Sequence, residues 1–407
     1  MIIKKILRIA GLFLIIFTVV VSCTKDDQDP DYSYFVSKEL SVVYTRSNIS
    51  DLINLASGSI PEVNVLKPLL SRDVNVYKIV YNTTILGEMT EASGLVCVPA
   101  EPGEYPVLSF QNGTNTLNSL APSQVGIYNP YQLIEIIASM GYIVVIADYP
   151  GFGKSLKVPH PYLVTEPTLR SLTDMFYAVH ELAEYELPGI MLKNEYYLLG
   201  YSQGGHATLA LHKALELEFS NDFNLKGSAC GAGPYDIFDL LNRIMNSSSY
   251  SMPVYLGYIL NAYTSYNQFT NPVSDIFNEP YASRVKNLYT GLLSSDYINS
   301  QLSTSMPILI KPEFLSGFSS SQKYLSVRTA LIKNSISGWH SYKPLLLVHG
   351  SKDTQVSPVS TENIYSSMIQ AGTSPSICKK VIIPDADHSD ALIPFMIQGI
   401  IYLNSLR

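Results

Sequence analysis

Tyr196-Tyr197-Leu198-Leu199-Gly200-Tyr201-Ser202-Gln203-Gly204-Gly205-His206 reads as a short apolar strand that runs into a serine flanked by glycines, with a helix-forming stretch at 207–219 directly behind it. A serine held between strand and helix sits on a turn so tight that the backbone leaves its ordinary regions. The residues two before and two after it must then be too small to clash. Gly200 and Gly204 meet that demand. Such a turn lifts the hydroxyl above the edge of a sheet, which makes Ser202 the candidate nucleophile. A Gly-rich turn carrying an ordinary surface serine would show the same Gly-x-Ser-x-Gly letters, and the strand before and helix after argue against it.

A serine hydroxyl at neutral pH needs a base to take its proton and an acid to orient that base. With this kind of turn the two arrive later in the chain, acid first. Leu345-Leu346-Leu347-Val348-His349-Gly350-Ser351-Lys352-Asp353 runs from a buried strand into a loop that bears a carboxylate, so Asp353 is the expected acid. Val381-Ile382-Ile383-Pro384-Asp385-Ala386-Asp387-His388 repeats the pattern and ends in the expected base, His388. An imidazole titrates near neutrality, so it can accept the serine proton and return it to a leaving alcohol. Asp385 and Asp387 are rival acids that share the loop of the base. His349 is expected to shape its loop, and His206, on the helix behind the serine, to point away from the hydroxyl.

Around these loops the chain alternates β-rich runs with helical patterns. Eight strands are predicted, at 74–86, 91–99, 106–110, 142–147, 196–199, 225–229, 344–348 and 380–383. The first two are long and separated by a hairpin-like break at Gly87-Glu88, and the later ones are short Val, Ile and Leu runs suited to burial on both faces. The expected fold class is therefore α/β, a mostly parallel eight-stranded sheet with helices on both faces and an antiparallel entry. The organisation expected is a core first part at 74–235, a helical cap inserted at 236–342 and a core second part at 343–407. A helical extension at 36–73 precedes the sheet. The cap segment is rich in Tyr, and Tyr255, Tyr258, Tyr263 and Tyr266 are candidates to line an acyl or aryl pocket, or simply to pack its helices.

Acyl chemistry also needs two fixed N–H donors for the oxygen that becomes negative. Gln203 follows the serine and supplies one. The second is expected from Phe110-Gln111-Asn112-Gly113-Thr114, the loop after the third predicted strand, with Thr114 as first choice and Asn115 as alternative.

Two further segments carry a resemblance. Asp148-Tyr149-Pro150-Gly151-Phe152-Gly153-Lys154-Ser155 is similar to the Asp-x-x-Gly-x-Gly-x-Ser segment of α/β-hydrolases of the secretory-lipase type, and the serine turn with its trailing Gly205-His206 resembles theirs. The likeness spans roughly residues 75–407. It implies the α/β-hydrolase fold with a cap and a serine esterase or lipase activity that needs no cofactor. The chain departs from many members in having Asn112-Gly113 where they have His-Gly, which leaves the Thr114 assignment open.

The ends and the composition bound the rest. Lys4, Lys5 and Arg8 precede an apolar run at 9–21, which reads as an export signal over 1–22 and is too short to span a bilayer comfortably. Val20-Val21-Ser22-Cys23 resembles the lipobox of bacterial lipoproteins, so Cys23 is the expected site of lipid attachment. An acidic tether is expected at 23–35, and its stretch Thr24-Lys25-Asp26-Asp27-Gln28-Asp29-Pro30 resembles the export tag of Bacteroidetes surface lipoproteins. The expected location is thus the cell envelope, anchored in the outer membrane. The net charge of −7 and the lack of a basic run exclude the footprint of a nucleic-acid binder. Cys97, Cys230 and Cys378 are odd in number, so they cannot all pair with one another; Cys97 and Cys230 sit in apolar, strand-like runs and are expected to be buried thiols, and with no Cys-x-x-Cys or His-x-x-x-His pair no metal site is expected. The leading reading is an ester hydrolase. A peptidase of the same fold and a catalytically dead glycan- or lipid-binding lipoprotein are the alternatives.

Overall fold

A computed structural model describes residues 32–126 and 129–407. Nine strands form one sheet: β1 (Phe35–Tyr44), β2 (Val74–Ile85), β3 (Glu88–Pro99), β4 (Gly103–Gln111), β5 (Ile143–Ala147), β6 (Ile190–Tyr201), β7 (Leu225–Gly231), β8 (Leu345–Gly350) and β9 (Cys378–Ile383). Their order is β1-β2-β3-β5-β4-β6-β7-β8-β9. β1, β2 and β3 pair antiparallel and β3 joins β5 antiparallel, whereas β5, β4, β6, β7, β8 and β9 are all parallel. The central strands are buried on both faces. Ile143-Val144-Val145-Ile146-Ala147, for example, has no exposed side chain, which is why it reads as a continuous apolar run with no alternation.

The expected eight strands gain a ninth, and the extension at 36–73 is not all helical. Its first part is β1, an edge strand on β2. In Phe-Val-Ser-Lys-Glu-Leu-Ser-Val-Val-Tyr only the terminal Phe35 and Tyr44 are fully buried, so no alternating stripe marks it as strand. The helix Arg46–Ser57 follows, opened by a Thr45/Asn48 capping box, and then a 3₁₀ segment over Pro61–Leu69. The extension is tied to the body through Glu135, a buried carboxyl that accepts from the Tyr44 hydroxyl at 2.6 Å and from Asn129 Nδ2 at 3.1 Å. Burial pushes that carboxyl up from its ordinary range. The leader at 1–22, Cys23 and most of the tether at 23–35 lie outside the described residues.

Between β7 and β8 the chain adds no strand to the sheet. It forms helices, among them Ile237–Met245, Pro253–Ser265, Tyr281–Leu288, Ser295–Gln301 and Leu325–Asn334, around an apolar core of their own. Three of the four candidate tyrosines belong to that core, and Tyr255 packs half-buried against it with its hydroxyl on Gln355 Oε1. Tyr258, Tyr263 and Tyr266 are buried, and each spends its hydroxyl on a backbone carbonyl, of Asn115, Leu163 and Pro159 respectively. They pack helices against loops of the sheet, the structural one of the two roles the sequence allowed. Cys97, Cys230 and Cys378 are buried and free.

Candidate active site

Ser202 stands at the carboxyl end of β6 with φ 60° and ψ −121°, and the helix Gln203–Leu217 begins at the next residue. Left-handed backbone is costly for a residue with a Cβ, so the neighbours must over-determine it. The Ser202 N–H donates to Gly231 O at 2.8 Å, and Ser202 O accepts from the His206 N–H at 3.1 Å. The two glycines are required by contact. A Cβ on Gly204 would lie 1.9 Å from Gln111 O, and one on Gly200 would lie 2.2 Å from Thr208 Oγ1 and 2.4 Å from Gly204 O. The helix can therefore approach β4 and β6 only because these side chains are missing.

Asp353 follows β8 and His388 follows β9, so both side chains reach the same carboxyl edge of the parallel strands as Ser202. The Ser202 hydroxyl donates to His388 Nε2 at 2.9 Å, and His388 Nδ1–H donates to Asp353 Oδ2 at 2.5 Å. The buried carboxylate has more donors than these. Oδ1 accepts from the Gln355 and Val356 N–H groups, each at 2.9 Å, and Oδ2 also accepts from His349 Nε2 at 3.1 Å. Burial alone would push this carboxyl up. The hydrogen bonds from His349 and His388, the His388 charge and the Val356 N–H outweigh it and hold the group at about 2.

His349 therefore does more than shape its loop. Thr361 Oγ1 lies 2.8 Å from its Nδ1, and its Nε2 bonds both Asp353 and Val356 O, which fixes the plane of the carboxylate. Tyr201, the variable residue of the serine turn, donates its hydroxyl to His388 O at 2.6 Å and so holds the loop of the base. His206 bonds Asn334 O and faces away from the hydroxyl, as expected. The rival acids are spoken for elsewhere: Asp385 pairs with Lys352, and Asp387 caps the N–H groups of Ser389 and Asp390.

The loop after β4 lies against the serine. A Cβ on Gly113 would sit 3.5 Å from Tyr201 O and 3.8 Å from Ser202 Cβ, so Thr114 is within one residue of the nucleophile turn. The Thr114 side chain bonds the Tyr162 hydroxyl at 2.9 Å. Gln203 opens the helix, and its Nε2 lies 2.8 Å from His160 Nε2. His160, in Pro159-His160-Pro161, carries no motif and is not foreseeable from sequence.

Asp148 positions a third loop. Fully buried, it accepts from the hydroxyls of Ser93 and Ser123 and from the Ser123 N–H, and it fills the space in which a Cβ on Gly153 would fall. The resembling segment 148–155 is thus a backbone turn folded over a carboxyl.

Beside this edge lies a cavity of about 330 Å³. Its floor is Gly113, Thr114 and Tyr201, and its walls are mostly apolar, including Leu66, Ile134, Met396, Ile397 and Ile400. These come from the 3₁₀ segment of the extension, the short helix Gln132–Glu135 and the terminal helix Leu392–Asn404. The Tyr-rich insertion does not line it.

A mostly parallel sheet wrapped by helices, with a serine on a strained strand-to-helix turn and its imidazole and carboxylate on later loops of the same edge, defines an α/β-hydrolase. The comparisons narrow this. The model of the secretory lipase family matches residues 123–384, and the chain belongs to that family; it is a carboxylic ester hydrolase of the lipase and esterase type. Among solved structures, a Legionella pneumophila protein provisionally called a hydrolase is 26% identical with a TM-score of 0.79, covering 92% of this chain and 98% of its own. LipA of Xanthomonas oryzae, described as a rice cell wall degrading esterase, is 25% identical with a TM-score of 0.75, covering 93% and 98%. Candida antarctica lipase A in its closed state shares the fold at 16% identity, with a TM-score of 0.65 over 91% of this chain and 81% of its own. No curated protein sequence matches the chain.

Proposed function

We propose that the protein cleaves carboxylic esters through an acyl-enzyme, with Ser202 as nucleophile, His388 as general base and then acid, and Asp353 as the group that orients His388. The observation that carries this reading is the unbroken chain of hydrogen bonds from Ser202 Oγ through His388 to Asp353. Ser202 Oγ attacks the ester carbonyl carbon as His388 Nε2 takes its proton. The carbonyl oxygen becomes an oxyanion, received by the backbone N–H groups of Gln203 and Thr114. Collapse expels the alcohol, protonated by His388. Water, deprotonated by the same nitrogen, then attacks the acyl-enzyme and frees the acid and Ser202.

The substrate reading rests on the cavity beside Gly113 and Tyr201. At about 330 Å³ it lies at the small end of ligand pockets and is walled by aliphatic side chains, which favours an ester with a short or medium acyl chain. A panel of p-nitrophenyl esters from acetate to palmitate, set against aminoacyl anilides, tests this. The best kcat/KM is expected with chains of roughly four to ten carbons. Replacing Ile397 by Trp is expected to move that optimum to acetate, with about a tenfold loss on the longer esters, since a few methylenes of lost burial account for that factor. Hydrolysis of the anilides alone would reject the ester reading in favour of a peptidase, and an unshifted optimum in Ile397→Trp would reject the cavity as the acyl site.

We further propose that Cys23 is acylated and anchors the enzyme in the outer membrane of a bacterial cell envelope. The lipobox and the acidic tether behind it support this, and several acyl chains on one cysteine give a stable anchor where one would not. In fractionated cells the wild type is expected in the membrane pellet and Cys23→Ala in the soluble fraction. Equal partition of the two would dismiss the anchor.

A further inference from the structure

The two proposed oxyanion donors come from different segments, the start of the helix behind the serine and the loop after β4. Their spacing is set by whatever grips both. Gln203 is gripped through its side chain: its Nε2 lies 2.8 Å from His160 Nε2, and its Oε1 is buried with no hydrogen-bond partner. His160 in turn bonds Pro150 O through Nδ1 at 2.8 Å. A carbonyl only accepts, so Nδ1 carries the proton and Nε2 is left to accept from the Gln203 amide. Burial keeps this imidazole neutral by pushing its pKa down to about 4.

The β4 loop is gripped by two tyrosines. Tyr162 shares a hydrogen bond with Thr114 Oγ1 at 2.9 Å, and the Tyr258 hydroxyl donates to Asn115 O at 3.1 Å. The two rings stack at 4.4 Å and 6°, and the His160 ring lies 5.3 Å from that of Tyr258. Tyr289 backs the other side of Tyr258 at 4.6 Å, and its own hydroxyl is fixed on Val254 O. His160, Tyr162 and Tyr258 are all buried. A small shift of Tyr258, which belongs to the helical insertion, would carry the β4 loop with it while Gln203 stayed at the start of its helix.

We infer that His160, Tyr162 and Tyr258 form one positioning unit that fixes the distance between the Gln203 and Thr114 N–H groups. The inference rests on the oxyanion assignment proposed above. No hydrogen bond joins the unit to the hydroxyl of Ser202 or the imidazole of His388. Its effect falls on the tetrahedral state, where the negative oxygen needs both donors, and not on the bound ester, where it does not.

The test uses Tyr258→Phe and His160→Gln in the full-length enzyme. The first removes one hydroxyl and keeps the ring, and the second keeps an acceptor of shorter reach. Each is expected to lower kcat on p-nitrophenyl butyrate about tenfold, a fraction of the 10²- to 10³-fold loss on deleting a whole donor, with KM within about twofold. Affinity for a trifluoromethyl ketone, which forms a tetrahedral adduct, is expected to fall by the same factor as kcat/KM. Thr114→Val, which cuts the link to Tyr162 at nearly constant shape, serves as a third variant should either of the others fold poorly. Unchanged kcat in folded variants, or a raised KM with kcat intact, would overturn the positioning unit alone. A wild type without esterase activity would overturn the triad and the unit together.

Discussion

Ser202→Ala is expected to lower kcat for ester hydrolysis on the order of 10⁶-fold, to the residue that binding and oxyanion donors supply without a nucleophile. The size follows from the mechanism. Without Oγ no acyl-enzyme forms, and water would have to attack from a position the site does not prepare. The fold should not suffer. Ser202 holds its neighbours through backbone groups, its N–H on Gly231 O and its carbonyl on the His206 N–H, and alanine keeps both. A Tm within a few degrees of wild type beside the lost turnover is the expected pair of results. A residual rate within a hundredfold of wild type would mean that another group attacks the ester.

Asp353→Asn is expected to cost about 10⁴-fold in kcat, and the hydrogen bonds explain why. All the groups that face the two carboxylate oxygens are donors: the N–H groups of Gln355 and Val356 on one side, His349 and His388 on the other. An amide has one oxygen and one NH₂, so either orientation sets a donor against donors. With the NH₂ toward the imidazole, His388 must accept through Nδ1 and carry its proton on Nε2, where it can no longer take the proton of Ser202. Stability also changes, with a defined sign. Because the folded carboxyl is held at about 2, below its ordinary value near 4, its ionisation stabilises the fold above the ordinary value. That contribution fades as pH falls through about 2. Urea unfolding should therefore show a gap between wild type and Asp353→Asn at pH 7 that narrows toward pH 2.5. A gap that widens in acid would contradict the assigned direction.

The parts of this site that follow strong local patterns were legible in the sequence. A strand, two glycines and a helix mark Ser202, and Asp353 and His388 each follow an apolar run that forms a strand, buried in β8 and half-buried at the sheet edge in β9. The chain order and the shared sheet edge followed from the topology. β1 was not legible, because an edge strand with Ser37, Glu39 and Leu40 exposed and Lys38 half-buried lacks an apolar stripe. Nor was the cavity, whose walls are brought from positions near 66, 134 and 397 by packing alone. The Tyr-rich insertion looked like a pocket because tyrosine suits both pockets and cores, and only the carbonyl partners of its hydroxyls separate the two. His160 and the acceptor role of its Nε2 depend on a contact with Pro150 O that no spacing announces.

Fluorophosphonate labelling followed by peptide mass spectrometry bears most directly on the claim that the gathered hydroxyl, imidazole and carboxylate act together. The account predicts one phosphonate per chain, on the peptide that contains Ser202, formed rapidly in wild type and about 10⁴-fold more slowly in Asp353→Asn. No adduct in folded wild-type protein, or an adduct on a different residue, would contradict it.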